Sequence, residues 1–186
     1  MFTFNNVGVT DVSFFVEKIK HLNEEDWCDL GAERTEVFKH VHGSTDTIAM
    51  MWSLENLSAE TRQTPEEDKT KWWSFFECDT SLNDIKEKLT IKYGDGELIR
   101  VILPRLKPLS SIMPHVDSGW SLVNCKRVHI PIITSDKVLF TVGNETRYLK
   151  AGEMVEINNS NRHSVQNNFD EHRIHLIVDW YVKELW

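Results

Sequence analysis

A chain of 186 residues with 40% hydrophobic content and seven tryptophans can bury roughly two-thirds of its surface as one domain, and it lacks the composition of a disordered tail. Its net charge of -8, with no run of Lys or Arg, excludes a generic nucleic-acid binder, because phosphate recognition needs clustered cations. Small or cationic partners are easier to accommodate.

The N-terminal "MFTFNNVGVTDV" has no basic start before an apolar core, and nowhere do 18 apolar residues run together. Neither secretion nor a membrane span is expected. Val12, Phe15, Val16, Ile19 and Leu22 recur at helical spacing behind Thr10 and Asp11, either of which suits a cap, and this predicts a first amphipathic helix. Cys28, Cys78 and Cys125 are far apart and in no Cys-x-x-Cys spacing, so neither a disulfide framework nor a zinc knuckle is indicated and a reducing cytoplasm fits. His21, His40 and His42 read as ordinary surface or helix-end residues. "TDTIAMMW" at 45–52 reads as a strand, and the polar "NLSAETRQTPEEDKTK" at 56–71, broken by Pro65, as a solvated loop or lid that bears on substrate choice. "WWSFF" at 72–76 suits either core or an aromatic wall over a substrate. In "TSLNDIKEKL", Ser81 and Asp84 suggest a capping box, with Leu82, Ile85 and Leu89 facing inward, and "YGDGE" ends that helix.

From Glu97 the pattern changes to short apolar or alternating segments: "ELIRVIL", "KRVHIPIIT", "KVLFTV", "TRYLK", "GEMVEI" and "RIHLIVDWYV", with "VGNE" as a tight hairpin turn. Many short strands at regular spacing mean a sandwich or barrel, here a jelly roll. One unit spanning 1–186 is expected, with 1–95 as a mixed, helical support on the substrate side and 96–186 as the β core.

Alternation divides these strands into faces. In "RIHLIVDW", Ile174, Leu176 and Val178 form the packed series, opposite Arg173 and His175. In "KRVHIPI", Val128, Ile130 and Ile132 are packed, opposite Arg127 and His129. If that polar face is enclosed it must hold compensating anions or ligands; if it is solvated, as one face of an antiparallel sheet often is, it needs none.

"MPHVDSG" places His115 and Asp117 two positions apart. Chance produces one His-x-Asp in roughly half of chains of this composition, so the pair alone decides nothing. Two imidazoles and a carboxylate can hold one face of an octahedral ferrous ion, and His163, after a predicted strand and a polar turn, is the candidate third ligand. Arginine matches a carboxylate with a two-pronged donor that lysine cannot copy, and Arg173 sits on the inward face.

Together, "HVDSG", "RVHIPI", "GEMVEINN", "RHSVQN" and "RIHLIVDW" resemble the aspartyl/asparaginyl beta-hydroxylase family of iron(II)- and 2-oxoglutarate-dependent oxygenases, over roughly residues 97 to 182. The resemblance implies a double-stranded β-helix, that is, a cupin-like jelly roll, and hydroxylation of a C–H bond of an amino acid or peptidyl residue. Fe(II) would be held by His115, Asp117 and His163. 2-Oxoglutarate and O2 would be cosubstrates, with release of succinate and carbon dioxide. Arg173 would bind the distal carboxylate, Arg127 and His129 would lie around cosubstrate and substrate, and Trp120 would contact a small-molecule or peptide substrate. Where this chain has Asp117, the animal enzyme that names the family has no carboxylate, so this chain offers the fuller ligand set. Two alternatives share the ligands: a non-catalytic cupin-like protein holding a small anion or metal, and a zinc- or manganese-dependent isomerase or hydrolase.

Overall fold

A computed structural model describes residues 2–27, 41–52, 69–118 and 120–183, without the side chains of Trp120 and Ser121. Most of the predicted 56–71 loop, together with Cys28 and His40, lies outside the described residues. Among the described residues ten strands form two antiparallel sheets. The larger contains β1 (Phe4–Val9), β2 (Thr45–Trp52), β3 (Gly96–Leu106), β5 (Lys126–Ile133), β8 (Glu153–Ile157) and β10 (Arg173–Val182), in the order β1-β8-β5-β10-β3-β2. The smaller contains β4 (Ser111–His115), β6 (Val138–Val142), β7 (Glu145–Arg147) and β9 (His163–Asn167), in the order β4-β9-β6-β7. From β3 onward the chain winds back and forth between the sheets, which is the double-stranded β-helix that the short, regularly spaced strands lead one to expect.

Five α-helices whose bounds lie among the described residues accompany them: α1 (Ser13–Ile19), α2 (Lys71–Phe75), α3 (Cys78–Ser81), α4 (Asn83–Tyr93) and α5 (Trp120–Asn124). The packed series of β5 and β10 falls where alternation places it. Val128, Ile130, Ile132, Ile174, Leu176 and Val178 share one core with Phe15, Phe76, Leu82, Ile85 and Leu89 of the helical side. Each such fully buried aliphatic side chain contributes about 1.5–3 kcal/mol. Trp73 and Phe76 belong to this core, with Trp72 and Phe75 packed against it, so "WWSFF" is core and not a wall over a substrate. A second core, including Phe4, Leu106, Ile112, Phe140, Val155 and Val165, joins the two sheets.

Several local expectations are corrected. The first helix is shorter than its apolar pattern. Asp11 Oδ1 accepts the Ser13 N–H at 2.9 Å at its start, while the Thr10 hydroxyl is drawn away to Asp84 Oδ2 at 2.6 Å. The capping box of Ser81 and Asp84 does not form, because the Ser81 hydroxyl donates to the Phe76 carbonyl at 2.8 Å, and a left-handed Glu77 opens the separate short helix α3. Strands β1, β4 and β9 were not evident from composition. β1 is held by its antiparallel register with β8, Phe4 opposite Ile157. β4 carries Pro114, which is tolerated because β4 is an edge strand with a register shift between Ile112 and His115. The inward series of β9 is His163, Val165 and Asn167, polar enough to read as a turn. The "VGNE" turn is present, with Gly143 at φ +58° between Val142 and its partner Glu145.

Candidate metal centre

The register of β4 on β9 sets His115 directly opposite His163, with ring centroids 4.2 Å apart. Two residues on, the Asp117 N–H donates to the Asn159 carbonyl at 3.2 Å, and Asn159 is itself fixed by donating to the Leu122 carbonyl at 2.6 Å. The turn so formed brings Asp117 Oδ1 to 3.5 Å from His115 Nε2 and 3.8 Å from His163 Nε2. One ligand atom from each residue lies within 4.8 Å of the others.

The imidazoles are oriented from behind. His115 Nδ1 lies 2.8 Å from the Met113 carbonyl and His163 Nδ1 3.0 Å from the Asn161 carbonyl. A carbonyl only accepts, so each Nδ1 carries the proton and each Nε2 presents a lone pair towards Asp117. Burial alone would raise the Asp117 carboxyl, but the charge of the Arg127 guanidinium beside it holds it far below the usual range. Burial lowers His163 even against the pull of Asp117. A carboxylate and imidazoles with free Nε2 lone pairs are the protonation states that a divalent ion requires, and the donor set suits iron(II), as it does zinc or manganese.

Beyond the three candidate ligands, the polar face of β5 and β10 is enclosed. Arg173 is fully buried, and its Nη2 donates to His175 Nδ1 at 2.7 Å. Because His175 Nδ1 accepts, its proton sits on Nε2, a donor that is buried without a partner, as are both ring nitrogens of His129 and Nε of Arg173. Among the described residues no carboxylate comes within ion-pair distance of Arg173, and burial pulls it down to about 9. The rings step from His175 to His129 (5.8 Å), to Phe140 (5.1 Å) and to the candidate ligand His163 (6.4 Å). An unbalanced cation and orphaned ring nitrogens beside a metal site are costly unless an anion completes them.

Arg127, expected around the cosubstrate and substrate, lies at the candidate metal centre and is engaged with two carboxylates. It donates through Nε and Nη2 to both oxygens of Asp179, at 2.9 and 2.8 Å, and through Nη1 to Asp117 Oδ2 at 2.9 Å. The Trp120 side chain lies outside the described residues. His42 stands at a helix end, as expected, and its ring also meets that of His115 edge-on at 4.8 Å; no sequence signal marks a contact made only by folding. Asp179 was overlooked too, although it shares the alternation face of Arg173 and His175 and that pattern would have found it. Among the described residues no helix is long and apolar enough to cross a membrane.

Over residues 32–182 the chain matches the family described as aspartyl/asparaginyl beta-hydroxylase. Among solved structures it is similar to an oxidoreductase of the 2OG-Fe(II) oxygenase family from Burkholderia pseudomallei, at 12% identity over 92% of this chain and 90% of that one, with a TM-score of 0.57. AviO1 from Streptomyces viridochromogenes is similar at 11% identity over 96% of this chain and 89% of that one, TM-score 0.60. The non-heme alpha ketoglutarate dependent epimerase SnoN from nogalamycin biosynthesis is similar at 13% identity over 97% and 78%, TM-score 0.61. At these identities the likeness is one of fold, of the 2-oxoglutarate–iron(II) oxygenase type. No curated protein matches the chain in sequence.

Proposed function

The chain belongs to the aspartyl/asparaginyl beta-hydroxylase family, and on that footing we propose that it is an iron(II)- and 2-oxoglutarate-dependent dioxygenase. In this reading it hydroxylates a C–H bond of an amino acid or peptidyl residue, supplied as a small molecule or peptide, and releases succinate and carbon dioxide. One observation carries the proposal: a His115, Asp117 and His163 cluster is joined by a run of packed rings, Phe140, His129 and His175, to a buried arginine that has no carboxylate of its own among the described residues. When bound, iron(II) with 2-oxoglutarate and oxygen supplies the oxidative chemistry.

The chain's own residues bind, orient and keep water away. His115, His163 and Asp117 offer three protein ligands, and an ion that prefers six keeps positions for a chelating cosubstrate and oxygen. Arg173 pairs with the distal carboxylate, a match strengthened by its dry surroundings. His175 fixes the guanidinium through Nδ1. The Nε2–H of His175 and the one N–H of neutral His129 stand as further donors along the same face. The same three ligands would serve a zinc or manganese hydrolase, but that chemistry leaves Arg173 unexplained.

The test is anaerobic addition of iron(II) and 2-oxoglutarate, for which a weak visible charge-transfer band is expected, followed by oxygen-dependent succinate release. His115→Ala, His163→Ala and Arg173→Ala are each expected to abolish release. Iron that binds without a band or succinate overturns the proposal. Candidate amino acids and peptides are then screened for gain of one oxygen atom by mass.

A further inference from the structure

Asp179 is a fully buried carboxylate on the polar face of β10, and the contacts above do not explain it. In the register of the larger sheet it lies directly between Arg127 of β5 and Arg100 of β3, and Arg100 in turn lies opposite Trp52 of β2. One cross-strand row therefore runs Trp52, Arg100, Asp179, Arg127. Its contacts follow the row: Arg100 stacks 4.3 Å over the Trp52 ring, Arg100 Nη1 is 3.6 Å from Asp179 Oδ2, and Arg127 grips Asp179 with two parallel hydrogen bonds. The row ends on a candidate metal ligand, because Arg127 Nη1 reaches Asp117 Oδ2 at 2.9 Å.

A guanidinium is planar and rigid, so fixing Nε and Nη2 on one carboxylate also fixes where Nη1 points. Pinned in this way, Arg127 takes Asp117 Oδ2 and leaves Oδ1 as the oxygen nearest both imidazoles. We propose that Arg127 and Asp179 are positioning residues for the metal site: anchored by Asp179, Arg127 occupies one oxygen of Asp117 so that the carboxylate offers the ion a single oxygen. The inference rests on the metal-binding reading above. Three of the five N–H groups of Arg127 are committed to the two carboxylates.

The test compares Mn(II) affinity and the Co(II) absorption spectrum of the parent, Arg127→Lys, and the double variant Arg127→Gln with Asp179→Asn, whose amides can still pair. Cooperative melting establishes folding first. The Mn(II) Kd is expected to rise about 10- to 100-fold in the double variant, the usual effect of losing a group that orients a ligand, with an altered Co(II) spectrum. Lysine, which keeps the charge but not the fork, is expected to restore melting without restoring affinity. A folded double variant with the parent's Kd and spectrum overturns the proposal, as does one in which only the KM for 2-oxoglutarate changes. In the parent itself, the infrared carboxylate difference on Mn(II) loading is expected to show the wide splitting of single-oxygen ligation, and the narrow splitting of two-oxygen ligation overturns the proposal without any variant. A parent that binds neither Mn(II) nor Co(II) overturns the metal-binding reading itself, which distinguishes that failure from the others.

Discussion

Arg173 carries a charge into the interior with one imidazole nitrogen as its acceptor among the described residues, and the protein without ligand bears that desolvation cost. Replacing a buried, unbalanced ion by an apolar side chain of similar length removes a penalty as well as a function. Arg173→Met is therefore expected to melt higher than the parent when no ligand is present, by the equivalent of about 1 kcal/mol. The parent, loaded with Mn(II), is expected to gain stability on addition of 2-oxoglutarate, by about 2.7 kcal/mol at a hundredfold excess over Kd, and the variant to gain none. Thermal melts with and without the keto acid read both effects. An arginine that served only packing would show the opposite sign in the first measurement and no difference in the second.

Among the elements, those with a continuous apolar series on one side were legible. β5 and β10 announced both their packed face and the Arg127, His129, Arg173 and His175 face, and so exposed half of the candidate site. β4 and β9, which carry the imidazoles, did not, because one holds a proline at a sheet edge and the other turns His163 and Asn167 inward. Their pairing depends on register with strands distant in sequence, which no local pattern encodes. The same holds for β1, whose junction with β8 gives a direct test. Gly152 adopts φ +80°, and a Cβ there would come within 2.5 Å of the Thr10 carbonyl oxygen, at the point where the Thr10 N–H donates to the Gly152 carbonyl at 2.9 Å. Gly152→Ala is expected to cost more than about 1 kcal/mol, through both backbone strain and the clash, measured as a fall in denaturant midpoint with amide exchange accelerated first in β1.

At the scale of the whole molecule, the count and spacing of short strands revealed the jelly roll, whereas the strand order and the partner of Arg127 emerge only when both sheets close. The enclosed polar face also sets how stability responds to pH. His129 and His175 lie well below the ordinary 6.5, through burial first and the Arg173 charge second. The unfolded chain takes up these two protons as pH falls through about 6.5 while the folded protein does not, so stability is complete above that value and is lost below it. At pH 5.5 each imidazole is expected to cost about 1 kcal/mol. Denaturant midpoints at pH 7.5 and 5.5 measure this loss, and exchanging both residues for Asn is expected to shrink the difference to the part carried by His163 and His172, which burial also lowers.

In β5 and β10 the even-numbered residues 128, 130, 132, 174, 176 and 178 belong to the helix-side core, while Arg127, His129, Arg173, His175 and Asp179 carry the polar face. Parity thus separates two kinds of heritable change within the same pair of strands. Ile177 is an exception, odd-numbered yet packed with Ala49 and Ile102. A mutant library meant to alter reactivity concentrates on the five polar positions and leaves Ile177 and the even-numbered series in place.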